Sequence, residues 1–354
     1  MGTRYRDAHD SDRLVELAVE RGANRDTFIA RLESQGTHRL DPALLYAWYR
    51  ELPDMKDQPD LVLAVRAGYA ELVEKLLTNG ANPNQGATDG ISALISASAR
   101  GNTALVRSLV SAGADPNLQP TSGYSALRVA AERGDLEIAQ ILIAAGANAE
   151  AADTGGFTPL MAAAAAGNEE LARLLINRGA DPHGRNRNGW SVLLFAAVGG
   201  SAALGRLLID LGADVNDQSS HEGWSALLKA SQCRSHDFMR LLIERGANVN
   251  VMTNNGETAL MLAAQEGQDT VPGDREAVEI LLEAGADPNI TNQSGWTALM
   301  YAAQCGGSDV ARTLLKHGAD PTILDHEQQT ARAIALGSSN DDVAELLGSS
   351  GNKS

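Results

Sequence analysis

"GFTPLMAAAAAGNEELARLLINRGADPH", residues 156–183, specifies two short helices separated and bounded by glycine turns. Gly156 provides a turn residue that is free to take positive φ. Thr158 is placed to accept from the orphan backbone N–H groups of a helix start, and Pro159 is the favoured first helical residue. The alanine run behind Leu160 makes that helix slim, so a neighbouring helix can approach it closely. Gly167 ends it. "NEELARLLINR" is then a second helix with Leu171, Leu174 and Leu175 on one side and charges on the other. Gly179 supplies the left-handed C-cap, and "ADPH" turns the chain out toward whatever follows.

The same unit recurs along the chain. "GAN" or "GAD" has its glycine at 80, 113, 146, 179, 212, 246, 285 and 318, at intervals of 33, 33, 33, 33, 34, 39 and 33 residues. A second series, Gly90, Gly123, Gly156, Gly189, Gly223, Gly256 and Gly295, runs in phase with it, each glycine followed by x-[Ser/Thr]-[Ala/Pro/Val]-Leu. A fixed period of this length marks a solenoid of stacked supersecondary units. The unit resembles the ankyrin repeat, with its Thr-Pro-Leu turn, Ala-Ala helix, Leu-Leu helix and Gly-Ala-Asp/Asn close, and the resemblance covers about nine units over residues 57–347. It implies an all-α solenoid of stacked antiparallel helix pairs with short β-hairpin fingers and a concave surface. One departure is consistent. The family's histidine after the leucine is replaced by Ile95, Arg128, Met161, Leu194, Leu228, Met261 and Met300. That removes a side-chain hydrogen-bond network between repeats, so apolar contact is expected to hold the seam.

The first unit (60–84) lacks the Gly-x-Thr turn, and the last (325–347) has Gln328 for the turn glycine, as terminal caps with polar outer faces would. Residues 1–56 read as three short helices, a small helical N-terminal cap over the end of the stack. Residues 348–354 read as a flexible tail. One extra residue falls in "DQSSHEG" (217–223), and six extra fall within "QDTVPGD" (268–274), between two helices, where an insertion leaves a stack intact. That loop is either a neutral insertion or a contact.

Composition agrees with slim helices: 44% of residues are hydrophobic but only 4% aromatic. The formal charge is −16, and residues 1–56 hold 10 acids and 9 bases, so the rest of the chain carries 35 acids against 20 bases. Such a chain repels nucleic acid and anionic membranes and attracts a basic partner. No apolar run is long enough for a signal peptide or a membrane span, and Cys233 and Cys305 are the only cysteines. The expectation is a cytoplasmic protein, monomeric in isolation.

Catalytic and metal-binding patterns are absent. The seven histidines form no HExxH and no pair at helical spacing, there is no CxxC, and no phosphate loop follows a strand. Cys233 and Cys305 occupy equivalent places two units apart, as small packing residues. Asp115, Asp181, Asp214, Asp287 and Asp320 sit in the Gly-Ala-Asp turn, where a short acceptor ties the backbone. Glu169, Glu170, Glu276, Glu279 and Glu283 belong to a solvated outer face. No enzyme activity and no cofactor are expected.

Recognition is better supported. Aligning the units puts Ile91, Tyr124, Phe157, Trp190, Trp224, Glu257 and Trp296 immediately after the turn glycine. Five of the seven are aromatic, in a chain holding 4 Trp, 6 Tyr and 4 Phe, so the scarce residues are concentrated in one column. Large rings bring contact area at little rotamer entropy. The column is either an interface or packing between fingers, and one ring face could serve each. The last exposed positions of the inner helices read Arg66, Arg100, Glu132 with Arg133, Ala165 with Ala166, Val198, Gln232, Gln265 with Glu266, and Gln304, a face mildly basic at its first units, apolar in the middle and amide-rich toward the end. The expected function is non-catalytic binding of another protein through the concave face. Tyr124, Phe157, Trp190, Trp224, Glu257, Trp296, Arg100, Arg133, Gln232, Gln265 and Gln304 would make the contacts. Two alternatives stand beside it: an acidic inhibitor or immunity-type protein that neutralises a basic toxin or nuclease, and a regulatory subunit or enzyme with a site in residues 1–56 or the 268–274 loop.

Overall fold

The computed structural model describes residues 60–265 and 273–350. The N-terminal helices expected over residues 1–56, and most of the 268–274 loop, lie outside them. Among the described residues there are eighteen helices in nine pairs, α1 Asp60–Ala67, α2 Ala70–Thr78, α3 Ala93–Ala99, α4 Thr103–Ser111, α5 Ala126–Arg133, α6 Leu136–Ala144, α7 Pro159–Ala165, α8 Glu169–Asn177, α9 Val192–Gly199, α10 Ala202–Asp210, α11 Ala226–Gln232, α12 His236–Glu244, α13 Ala259–Ala264, α14 Arg275–Glu283, α15 Ala298–Gln304, α16 Ser308–Lys316, α17 Ala331–Gly337 and α18 Asp341–Ser350. The last runs past residue 348, where a tail was expected to begin. None is long and apolar enough to cross a membrane.

The helices fall into two compact units. One holds residues up to 130 together with 135–154, the other 131–134 together with 155 onward. In the first, α1 packs on α3, and α4 lies between α2 and α6. In the second, the odd-numbered helices from α7 to α17 form one layer in which each packs on the next, and the even-numbered ones from α8 to α18 form the other.

Sequence explains why the layers differ. Inner helices are buried almost all round: Val192–Ala197 of α9 are all buried, as are Ala93–Ser98 of α3. Outer helices bury one stripe, Leu171, Ala172 and Leu175 in α8, while Leu174 is only half-buried. Each fully buried leucine contributes about 1.5–3 kcal/mol relative to an exposed one. The alanine run does what its volume allows. Ala162, Ala163 and Ala164 are buried on α7, and α9 approaches so closely that a Cβ on Gly199 would lie 2.3 Å from the Ala164 carbonyl oxygen.

The turns follow their chemistry. Thr158 Oγ1 accepts from the Met161 N–H, and Ser92, Ser125, Ser225, Thr258, Thr297 and Thr330 cap in the same way. In the Gly-Ala-Asx turns, Asp115, Asp214, Asp287 and Asp320 each accept from the N–H two residues on. Gln328, in place of a turn glycine, takes φ 60° and still closes the turn on the Asp325 carbonyl.

One expectation is corrected here. The hairpin fingers form no strand pair among the described residues: isolated antiparallel bridges join Arg185 to Ser191, Gln218 to Ser225 and Met252 to Thr258. The physical reason is that Ser191, Ser225 and Thr258 are already helix N-caps, so the chain leaves extended conformation where a ladder would continue. Where the family has histidine, Ile95, Met161, Leu194, Leu228, Met261 and Met300 are buried apolar side chains, and the repeats are tied by polar bonds at a second place, the Gly-Ala-Asx turns. Asn117 donates to the Gly146 carbonyl and accepts from the Asn148 N–H, and Asn216 does the same with Gly246 and Asn248. Asn84 and Asn289 repeat this pattern. Met261 and Met300, standing where the family has histidine, accept through sulfur from the N–H of the capping threonines. Asn117→Ala or Asn216→Ala is therefore expected to cost about 0.5–1.5 kcal/mol, because each leaves a carbonyl and an N–H without their bridge. An unchanged thermal midpoint for both would refute the bridge.

Candidate functional site

The residue after each turn glycine is held by the turn itself. In the finger 186–190, the Asn186 carboxamide accepts from the Trp190 N–H, the Asn186 N–H donates to the Trp190 carbonyl, and Gly189 closes the turn on the Asn186 carbonyl. Asn292 fixes Trp296 likewise. In the finger with one extra residue, Gly223 reaches back four residues to Ser219, whose hydroxyl accepts from the Trp224 N–H, so that indole keeps its place. The fingers are also tied to one another: Arg187 donates to the Gly155 carbonyl, Asn254 to Glu222 and Gln293 to Asn255.

Within the second unit, Phe157, Trp190, Trp224, Glu257 and Trp296 are all half-buried. Their covered faces rest on a second column, five residues later on the inner helices. Phe195 on α9 lies between its own Trp190, with centroids 5.3 Å apart, and the preceding Phe157, at 4.9 Å and nearly edge-on. Lys229 on α11 repeats this one helix pair further, its ammonium 3.7 Å from the Trp224 ring centroid and 4.9 Å from that of Trp190. The result is a continuous ladder of Phe157, Phe195, Trp190, Lys229 and Trp224. Tyr301 on α15 takes the same place beside Trp296, at 5.0 Å, and its hydroxyl reaches Glu257 at 3.4 Å. The rings are thus partly packing and partly free surface.

Titratable groups on this face are shifted by burial and by their neighbours. Burial lowers the Lys229 ammonium below the ordinary lysine range, opposed by Cys233 and Glu222. Burial raises the Tyr301 phenol, Glu257 adds to the rise, and hydrogen bonds with Gln265 and Asn292 oppose it. Gln232 accepts from the Lys229 ammonium at 2.8 Å, and Gln265 donates toward Glu257 at 3.5 Å. Gln304 and Arg133 are exposed, and Val198 is 38% exposed beside the buried Phe195. Cys233 and Cys305 both follow the last turn of an inner helix; Cys305 is half-buried, but Cys233 is exposed, contrary to a packing role.

In the first unit, Tyr124 is half-buried with the Arg128 guanidinium 5.7 Å from its ring centroid. Arg66 pairs with Asp89 at 2.7 Å. Arg100 is exposed but engaged: it donates to the Arg66 carbonyl at 2.8 Å, a cation placed at the C-terminus of α1.

Phe195, Lys229 and Tyr301 are absent from the sequence-derived site. The signal was a second offset, five residues beyond the first column, which reads Ser96, Val129, Ala162, Phe195, Lys229, Leu262 and Tyr301. Among the described residues, no three His, Cys, Asp or Glu side chains converge as metal ligands would.

A family model described as ankyrin repeats (3 copies) matches residues 61–153, 146–219, 206–273 and 270–354. No curated protein matches the chain.

Proposed function

Because the chain belongs to the ankyrin-repeat family, whose members generally serve as protein–protein interaction modules, we propose that it binds a partner protein through the ring ladder of its second unit. The observation that carries this is the incomplete burial of Trp190 and Trp224: Trp190 is held between Phe195 and Lys229, Trp224 rests on Lys229, and neither residue is fully buried. Rigid aromatic anchors of this kind are favoured hot spots. Trp296, Glu257, Gln232, Gln265 and Gln304 extend the same surface, with Arg133 at the end of α5. In the first unit, Tyr124 and Arg100 would make contacts of their own. No step of catalysis is proposed.

Replacing Trp190 and Trp224 together by alanine is expected to weaken the partner at least about thirtyfold, the effect of losing a hot spot of ~2 kcal/mol. The helical circular dichroism should persist. The partner would be isolated by affinity purification from native lysate and then titrated as a purified protein. Unchanged affinity would refute this surface. The charge of −16 favours a second mode, in which an acidic inhibitor holds a basic partner by long-range attraction. Salt separates the two: screening would weaken the charge-driven complex steeply and the aromatic contact little.

A further inference from the structure

One member of the ladder differs in kind from the others. Equivalent places in the neighbouring repeats hold Phe195, Leu262 and Tyr301, whereas α11 presents Lys229. Among the described residues, no carboxylate lies within 4.0 Å of its ammonium. Arginines of the same unit do have such partners: Arg240 with Glu276 at 2.8 Å, Arg245 with Asp210 at 2.8 Å and Arg275 with Glu279 at 2.9 Å. An ammonium has three donors, and Gln232 takes one of them. The indole faces attract the cation but accept no ordinary hydrogen bond. Glu222 favours the charge only from beyond pairing distance and does not offset the desolvation, so the charge costs stability, and a leucine here, as at the equivalent Leu262, would avoid that cost.

Building on the reading that this face binds protein, we propose that the Lys229 ammonium, between Trp190 and Trp224, receives an aspartate or glutamate side chain of the partner, with the flanking apolar side chains of that segment lying on the indoles and on Val198. The indoles keep water from the ion pair, which strengthens it, and the surrounding ring surface gives the neighbouring side chains something apolar to cover. The overall negative charge does not forbid this. At physiological salt, charges more than about 8 Å apart are largely screened, so the local cation decides. Lys229 thereby selects acidic over basic segments at the centre of the face.

The test is selection of a phage-displayed library of random peptides on the full chain, followed by titration of the synthesised peptides against variants. Enrichment of peptides with Asp or Glu flanked by apolar residues is expected. Lys229→Gln and Lys229→Met should each weaken them about tenfold or more, while Lys229→Arg, which keeps the charge, holds them within about threefold. Suppose instead that the selected peptides depend on Trp190 and Trp224 but carry Lys or Arg, show no charge preference, or bind Lys229→Gln equally well. The carboxylate pairing is then overturned, while the binding face stands. If no peptide is enriched, or none is sensitive to the double tryptophan variant, both the pairing and the face are overturned.

Discussion

Phe238→Ala is expected to destabilise the second unit by about 3–5 kcal/mol, the range for deleting a fully buried phenylalanine. Phe238 on α12 is wholly buried, and its ring fills a slot made by a glycine on the neighbouring outer helix. A Cβ at Gly205 of α10 would lie 2.6 Å from the ring Cε2, 2.7 Å from Cζ and 3.1 Å from Leu241 Cδ2. The two residues form a lock, so Gly205→Ala overpacks it by about 1–3 kcal/mol. Phe238→Leu removes the outer ring atoms and should reduce the cost of Gly205→Ala. A double-mutant cycle in urea would measure that coupling, and additive effects would show that the slot is not shared. In a solenoid, stability is close to a sum of repeats and their interfaces. Lost amide protection in Phe238→Ala should therefore be greatest in α10 and α12. Uniform loss across α7 to α18 would contradict this local account.

The repeat itself was plain in the sequence, because each turn is fixed by chemistry confined to a few residues. The Thr158 cap, the Asx turns and the slim alanine face of α7 all follow from local rules. Contacts between repeats were harder, because they depend on offsets near a full period. Asn117 looks like a turn residue until Gly146 and Asn148 are seen opposite it, 29 and 31 residues later. The aromatic column was visible as a column, and its half-burial accommodates both packing and exposure. Its second row was not visible, since Phe195, Lys229 and Tyr301 belong to three chemical classes and share only a position. Arg100 was read as groove surface because it is charged and ends an inner helix. Its bond to the Arg66 carbonyl depends on the preceding helix ending within its reach.

Two identical substitutions are expected to have opposite signs, and the difference isolates interhelical packing from helix propensity. Gly199 and Gly337 both close inner helices, α9 and α17, and neither takes a positive φ. Propensity alone predicts that alanine at either site stabilises by about 0.5–1 kcal/mol. At Gly337 nothing lies within 4 Å of the Cβ position, so that gain should be realised. At Gly199 the Cβ would meet the Ala164 oxygen at 2.3 Å, the Gly167 nitrogen at 2.6 Å and the Gly167 Cα at 2.9 Å. These are backbone atoms that cannot rotate away, and Gly167 closes its own turn on the Ala164 carbonyl. To admit a methyl group, α9 must withdraw from α7 and surrender contacts along the alanine face, at a cost of about 3 kcal/mol or more. Because Trp190 and Phe195 ride on the same helix pair, Gly199→Ala should also loosen the ring ladder, visible as a change in tryptophan fluorescence that Gly337→Ala does not share. If Gly199→Ala were as stable as Gly337→Ala, the close approach of α7 and α9 would be wrong, and with it the spacing that lets Phe195 touch both Phe157 and Trp190.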